Sequence, residues 1–144
     1  MSQPVAYWDS SALVPLCVPQ IQTTRAIELY KSYGVVAWWA TQVEMISGLT
    51  RLERMGQISH NQFLVGKQLA RDIMRDWISA SSTERIAVDA CSLLELYPLS
   101  AADALRLAVA LQACEHRPRG YIFITADQRL ADAARQSGFS VEYI

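Results

Sequence analysis

Four acidic residues stand out by position in this 144-residue chain: Asp9, Glu44, Asp103 and Asp127. Asp9 closes the apolar run Pro4-Val-Ala-Tyr-Trp8, and Glu44 lies about a turn into a helical pattern that follows Val35–Trp39. Asp127 comes three residues after Ile124, at the end of the apolar run Tyr121–Ile124. Asp103 is the one acid within the apolar stretch Leu99–Leu111. A carboxylate in such surroundings is costly unless it is paired or bound to a cation. Clustered carboxylates repel one another and call for a cation, and an all-oxygen set without His or Cys suits a hard ion, Mg²⁺ or Mn²⁺. Such an ion can hold a phosphodiester, activate water and stabilise a leaving oxygen. Each acid taken alone is equally explained by helix capping. Thr41-x-x-Glu44 and Ser100-x-x-Asp103 match or nearly match capping boxes, Asp9 is placed to cap a first helix, and Thr125 or Asp127 a last one.

The elements that must position these acids follow from hydrophobic periodicity. Short apolar runs at 4–8, 35–39, 77–80, 120–124 and 140–143 read as strands, the third of them weak. A short helix after Asp9 is expected to be interrupted near Pro15 and Pro19. An amphipathic helix over 20–33 ends at Gly34, and Thr41 opens another that carries Val43, Ile46, Leu49 and Leu52 and closes at Gly56. Further helices are expected over 59–76, after the box Ser81-x-x-Glu84 up to Pro98, from Ser100, and over 127–137 up to Gly138. Strands alternating with helices predict an α/β domain with a mostly parallel sheet covered on both faces, one unit over 1–144. Ligands of such sheets bind beyond the carboxyl ends of the strands. Three of the acids map to that edge, and Asp103 is free to join them.

Composition narrows the class further. Lys plus Arg number 13 and Asp plus Glu 14, a net charge of −1, and 51% of residues are hydrophobic. That excludes a disordered chain and a basic nucleic-acid arm. Cys17, Cys91 and Cys114 form no CxxC pair and are expected as buried or half-buried thiols. Trp8, Trp38, Trp39 and Trp77 are expected in the core, with one of Trp38 and Trp39 open to base stacking. No apolar run approaches the ~18 residues of a membrane span. The first basic residue is Arg25, unlike the charged start of a signal peptide, so a cytoplasmic protein is expected. No Walker loop or GxGxxG is present, and Asp9-Ser-Ser is not the Asp-x-Asp of a haloacid-dehalogenase phosphotransferase.

Four stretches carry a resemblance: Tyr7-Trp-Asp-Ser-Ser-Ala-Leu13, Val43-Glu44 with Leu49-Thr-Arg-Leu-Glu-Arg54, Leu99-Ser-Ala-Ala-Asp-Ala-Leu-Arg-Leu-Ala108, and Phe123-Ile-Thr-Ala-Asp-Gln-Arg-Leu130. In order and spacing they resemble the four motifs of PIN-domain proteins, most of all the VapC toxin ribonucleases of toxin-antitoxin systems. The resemblance implies a three-layer α/β fold, a five-stranded parallel sheet in the order 3-2-1-4-5 between helices. It also implies a Mg²⁺- or Mn²⁺-dependent endoribonuclease that hydrolyses RNA with metal-activated water, Asp9, Glu44, Asp103 and Asp127 being the catalytic, metal-holding acids. A small antitoxin protein and a homodimer are implied as partners. The alternative is a catalytically weak or inactive domain of this type that binds RNA or protein.

Around the acids, Ser10 and Thr125 are expected either to support a carboxylate or to act as plain helix caps. Arg51 and Arg54, three apart on one helix face, are candidates for RNA phosphate or for an ordinary solvated face. Arg106 departs from the family, many of whose members have His there. It either contacts phosphate or is solvated. Setting the four acids apart leaves thirteen basic and ten acidic residues, a mildly basic remainder of +3 in which only two of the basic residues are lysine. RNA binding is therefore compatible with the formal charge.

Overall fold

The computed structural model describes residues 3–144. β1 (Val5–Trp8) leads into α1 (Ser10–Cys17) and α2 (Thr23–Ser32), then β2 (Gly34–Ala37), α3 (Trp39–Arg54) and α4 (His60–Asp76). β3 (Ile78–Ser79), α5 (Arg85–Leu96), α6 (Ala101–Ala113), β4 (Ile122–Thr125), α7 (Gln128–Ser137) and β5 (Ser140–Tyr143) complete the chain. The five strands form one sheet in the order β3-β2-β1-β4-β5, every pair parallel. In register, Tyr7 lies opposite Val36 on one side and Phe123 on the other. This is the α/β architecture and strand order expected.

Side chains alternate across a strand, so each central strand feeds two cores. Ala6 and Trp8 of β1 and Ile124 of β4 pack with Leu13 of α1, Met45 and Leu49 of α3 and Ala70 of α4. Tyr7 and Phe123 face the other way, onto Ile86 of α5, Leu107 of α6 and Leu130 of α7. Helices therefore cover both faces, which a parallel sheet requires. The carboxyl ends of β1, β2 and β4 emerge together at one edge. Asp9 is the N-cap of α1 and Asp127 the N-cap of α7.

Local signals were overridden at several places. α1 runs through Pro15 without interruption and ends at Cys17, two residues ahead of Pro19, so only the second of the two prolines falls at a helix end. Gly34 does not stop α2. It opens β2, where a Cβ would lie 3.3 Å from Val5 Cγ1, so close strand approach explains the glycine. Thr41 does not open α3, which starts at Trp39. Thr41 is buried inside it and α3 has no side-chain cap, so the Thr41–Glu44 box does not form. α5 starts at Arg85 with no side-chain cap, so the Ser81–Glu84 box is absent too. Val43, expected on the buried face of α3, is exposed. So are Trp39 and Cys91, against the expectation of core tryptophans and buried thiols, whereas Trp8, Trp38, Cys17 and Cys114 are buried. Gly56 and Gly138 close their helices with positive φ, as their positions predict.

Candidate functional site

The carboxyl edge of the sheet opens into a cleft of about 450 Å³ lined by Asp9, Ser11, Glu44, Arg51, Arg106 and Asp127, among others. Its floor is Asp9. The backbone N–H of Asp9 donates to Ile124 O at 2.9 Å, tying the end of β1 to β4. Its two carboxylate oxygens are treated differently. Oδ2 accepts the Thr125 hydroxyl at 3.1 Å, the Ser11 backbone N–H at 3.3 Å and a short bond from the Ser11 hydroxyl. Oδ1 is buried and has no hydrogen bond. The nearest cationic group is Arg106 Nε, 3.5 Å away.

Arg106 stands on α6, one turn after Asp103, and its guanidinium meets acids from three other points of the chain. Nη1 lies 2.5 Å from Asp103 Oδ1, while Nε and Nη2 both pair with Glu44 Oε2 from α3. Its side chain is only 21% exposed, so it is not a solvated helix residue, and in this conformation its donors are directed at carboxylates. Asp103 itself is buried. The Ser100 hydroxyl caps its backbone N–H at 3.2 Å, but its carboxylate turns to Arg106, leaving only half a capping box. Burial raises the Asp103 pKa, with the negative charges of Asp127 and Asp9 pushing the same way; the Ser100 bond and Arg129 oppose them. Asp127 both faces the cleft and caps α7, its Oδ1 accepting Leu130 N–H at 3.0 Å.

The tertiary structure thus brings Asp9, Glu44 and Asp103 onto one guanidinium and sets Asp127 on the same cleft. Capping accounts for Asp9 and Asp127 in part, and for neither Glu44 nor the Asp103 carboxylate. The Thr125 hydroxyl bonds Asp9, whereas Ser10 lines the cleft and the serine hydroxyl that bonds Asp9 is that of Ser11. Ser11 was missed, although a serine two residues after an N-cap aspartate is a recognisable signal for a local side-chain bond. Arg51 lines the cleft; Arg54 lies on a neighbouring groove with Val43 and Met55. Trp39, 63% exposed, leans against buried Trp38 with ring centroids 5.3 Å apart. The pair lines a second groove that shares Glu44 and Arg106 with the cleft.

The donors suit a hard cation in kind: they are carboxylate oxygens, and one, Asp9 Oδ1, is buried without a hydrogen bond. Among the described residues, no three His, Cys, Asp or Glu side chains are grouped closely enough to hold a metal ion as they stand. Arg106 occupies the space between them.

No family model and no curated protein matches the chain. Among solved structures it is similar to the crystal structure of PAE2754 from Pyrobaculum aerophilum, with 15% identity, 97% of this chain and 92% of that chain covered, and a TM-score of 0.63. At that identity the likeness is one of fold. Among the described residues, no helix is long and apolar enough to cross a membrane.

Proposed function

We propose that this chain is a Mg²⁺- or Mn²⁺-dependent endoribonuclease of the PIN-domain, VapC-like toxin type, a cytoplasmic protein that works as a homodimer held in check by a small antitoxin. One observation carries the reading: a buried, unbonded Asp9 oxygen at the carboxyl edge of a 3-2-1-4-5 sheet, facing acids from α3 and α6 across a single cation. Asp9, Glu44, Asp103 and Asp127 would hold the ion. When bound, the ion supplies Lewis-acid activation of water and charge stabilisation at the leaving oxygen. The residues of the chain do the rest. Thr125 and Ser11 fix the Asp9 carboxylate by holding Oδ2, which leaves the buried Oδ1 facing Arg106. Arg51 brings positive charge to the cleft wall, where a phosphate of the RNA backbone would lie.

The test is cleavage of RNA by the purified chain with and without Mg²⁺. Cleavage is expected to need the ion, to stop with EDTA and to fall to background in Asp9→Asn and Asp103→Asn. Undiminished cleavage by those variants, or indifference to EDTA, overturns the proposal. The Arg106 guanidinium among the acids favours the alternative of a domain that binds RNA or protein without cutting. Mg²⁺-insensitive RNA binding with no cleavage decides for that alternative.

A further inference from the structure

We infer that Arg106 is the resident cation of the carboxylate cleft, and that its guanidinium and a divalent ion hold Glu44, Asp103 and Asp9 in mutual exclusion. This rests on the reading of the cleft as a metal site and goes beyond it, because it assigns a role to a residue outside the donor set.

Three contacts define the position. Arg106 reaches Asp103 on its own helix, Glu44 on α3 and Asp9 at the end of β1. Acids from three separate elements therefore converge on one side chain. The guanidinium does not complete the set. It is planar, and its donors lie in a fixed fork. With Nε and Nη2 on Glu44 and Nη1 on Asp103, it approaches Asp9 Oδ1 only to 3.5 Å and makes no hydrogen bond there. A compact hard ion takes oxygen ligands from every side and would use that leftover donor. Arg106 takes Glu44 Oε2 and Asp103 Oδ1 and lies between the carboxylates that would hold the ion, and like charges at such distance repel strongly away from bulk water.

Arg106 also has a place to go. Its side chain borders both the cleft and the adjoining groove of Trp38 and Trp39. The exposed face of Trp39 there suits a guanidinium displaced from the acids. Metal affinity is then reduced by the fraction of molecules in which Arg106 occupies the acids. An arginine seated in about nine molecules of ten weakens the apparent affinity about tenfold.

The experiment titrates the metal-free full-length chain with Mn²⁺ by calorimetry, comparing wild type, Arg106→Met and Asp9→Asn. In parallel, the Arg106 Nε–H resonance of the wild type is followed by NMR during addition of diamagnetic Mg²⁺. Arg106→Met is expected to melt at lower temperature without metal, to bind Mn²⁺ about tenfold more tightly, and to gain more from saturation than wild type does. The Nε–H resonance is expected to shift and to exchange faster with water as Mg²⁺ fills the site. If Arg106→Met binds no more tightly while Asp9→Asn abolishes binding, the metal site stands and mutual exclusion is overturned. If none of the proteins binds Mn²⁺ in a way that depends on Asp9, the metal-site reading fails and this inference with it. Should Arg106→Met not fold, an Nε–H resonance unchanged at saturating Mg²⁺ overturns mutual exclusion in the wild type alone.

Discussion

Thr125 and Asp9, at the ends of adjacent parallel strands and 116 residues apart in sequence, share a hydrogen bond of 3.1 Å from the Thr125 hydroxyl to Asp9 Oδ2. Ser11 donates to the same oxygen. Each hydroxyl has one hydrogen, so with both directed at Asp9 the 3.2 Å Ser11–Thr125 contact is not a hydrogen bond of its own. Thr125 Oγ1 also accepts Asp127 N–H at 3.0 Å, and Ser11 Oγ accepts Ala126 N–H at 2.9 Å. Two hydroxyls thereby lock the loop after β1 to the loop after β4, which carry Asp9 and Asp127.

Removing one of these hydroxyls orphans a backbone donor and loosens Asp9. Ser11→Ala is expected to cost about 1–2 kcal/mol in denaturant unfolding. Ser10→Ala, whose hydroxyl does not bond Asp9, is expected to stay within about 0.5 kcal/mol. Equal losses in the two variants would show that the lock is not what Ser11 contributes.

Packing of α4 on α1 depends on Gly66. A Cβ there would lie 2.7 Å from Val18 Cγ1 and 3.1 Å from the Cys17 carbonyl oxygen. The carbonyl belongs to backbone and cannot step aside. Gly66→Ala is expected to destabilise the fold by about 1–3 kcal/mol despite the better helix propensity of alanine. A higher melting temperature in that variant would refute the close approach.

Thiol reactivity separates the three cysteines. Burial pushes the Cys17 thiol up to about 12 and raises that of Cys114 as well. Thiolate is the reactive form, and Cys91 is exposed. A disulfide exchange reagent at mildly alkaline pH is expected to modify Cys91 rapidly and the other two only on unfolding. Peptide mapping after brief labelling checks this, and early modification of Cys17 would contradict it.

Asp103 makes stability depend on pH. Its raised pKa means that the folded chain holds the proton more tightly than the unfolded chain. The stability this supplies is complete below the unfolded value, about 3.9, and is lost as pH rises through the folded value. Metal-free wild type is therefore expected to lose stability relative to Asp103→Asn as pH climbs from about 4 towards 7. Denaturant midpoints of the two proteins over that range measure the difference. A difference that moves the other way would mean that the Arg106 pair outweighs burial.

Much of the fold was legible in the chain. Apolar runs marked β1, β2, β4 and β5, and Gly56 and Gly138 marked helix ends, because these signals are local and strong. The strand order came from the resemblance and not from periodicity, which is blind to which strands are neighbours. Start signals failed where a tertiary contact outbid them. Thr41 has the residue type of a cap, yet it is buried within the helix, which begins at Trp39.

By itself the sequence determined which residues stand where strands run into helices. Asp9, Glu44 and Asp127 follow strands, and a parallel sheet gathers such positions at one edge whatever their spacing along the chain; Asp103, on a helix that follows another helix, was only free to join them. Only the tertiary structure decided what each carboxylate touches. Ser11 rather than Ser10 bonds Asp9, because the turn into α1 aims the one hydroxyl at Oδ2. Arg106 pairs with Glu44, 62 residues away, because α3 and α6 bring them within reach at the edge of the sheet. Proximity of that kind is set by packing of distant elements to within an ångström or two, and no local pattern of residues encodes it.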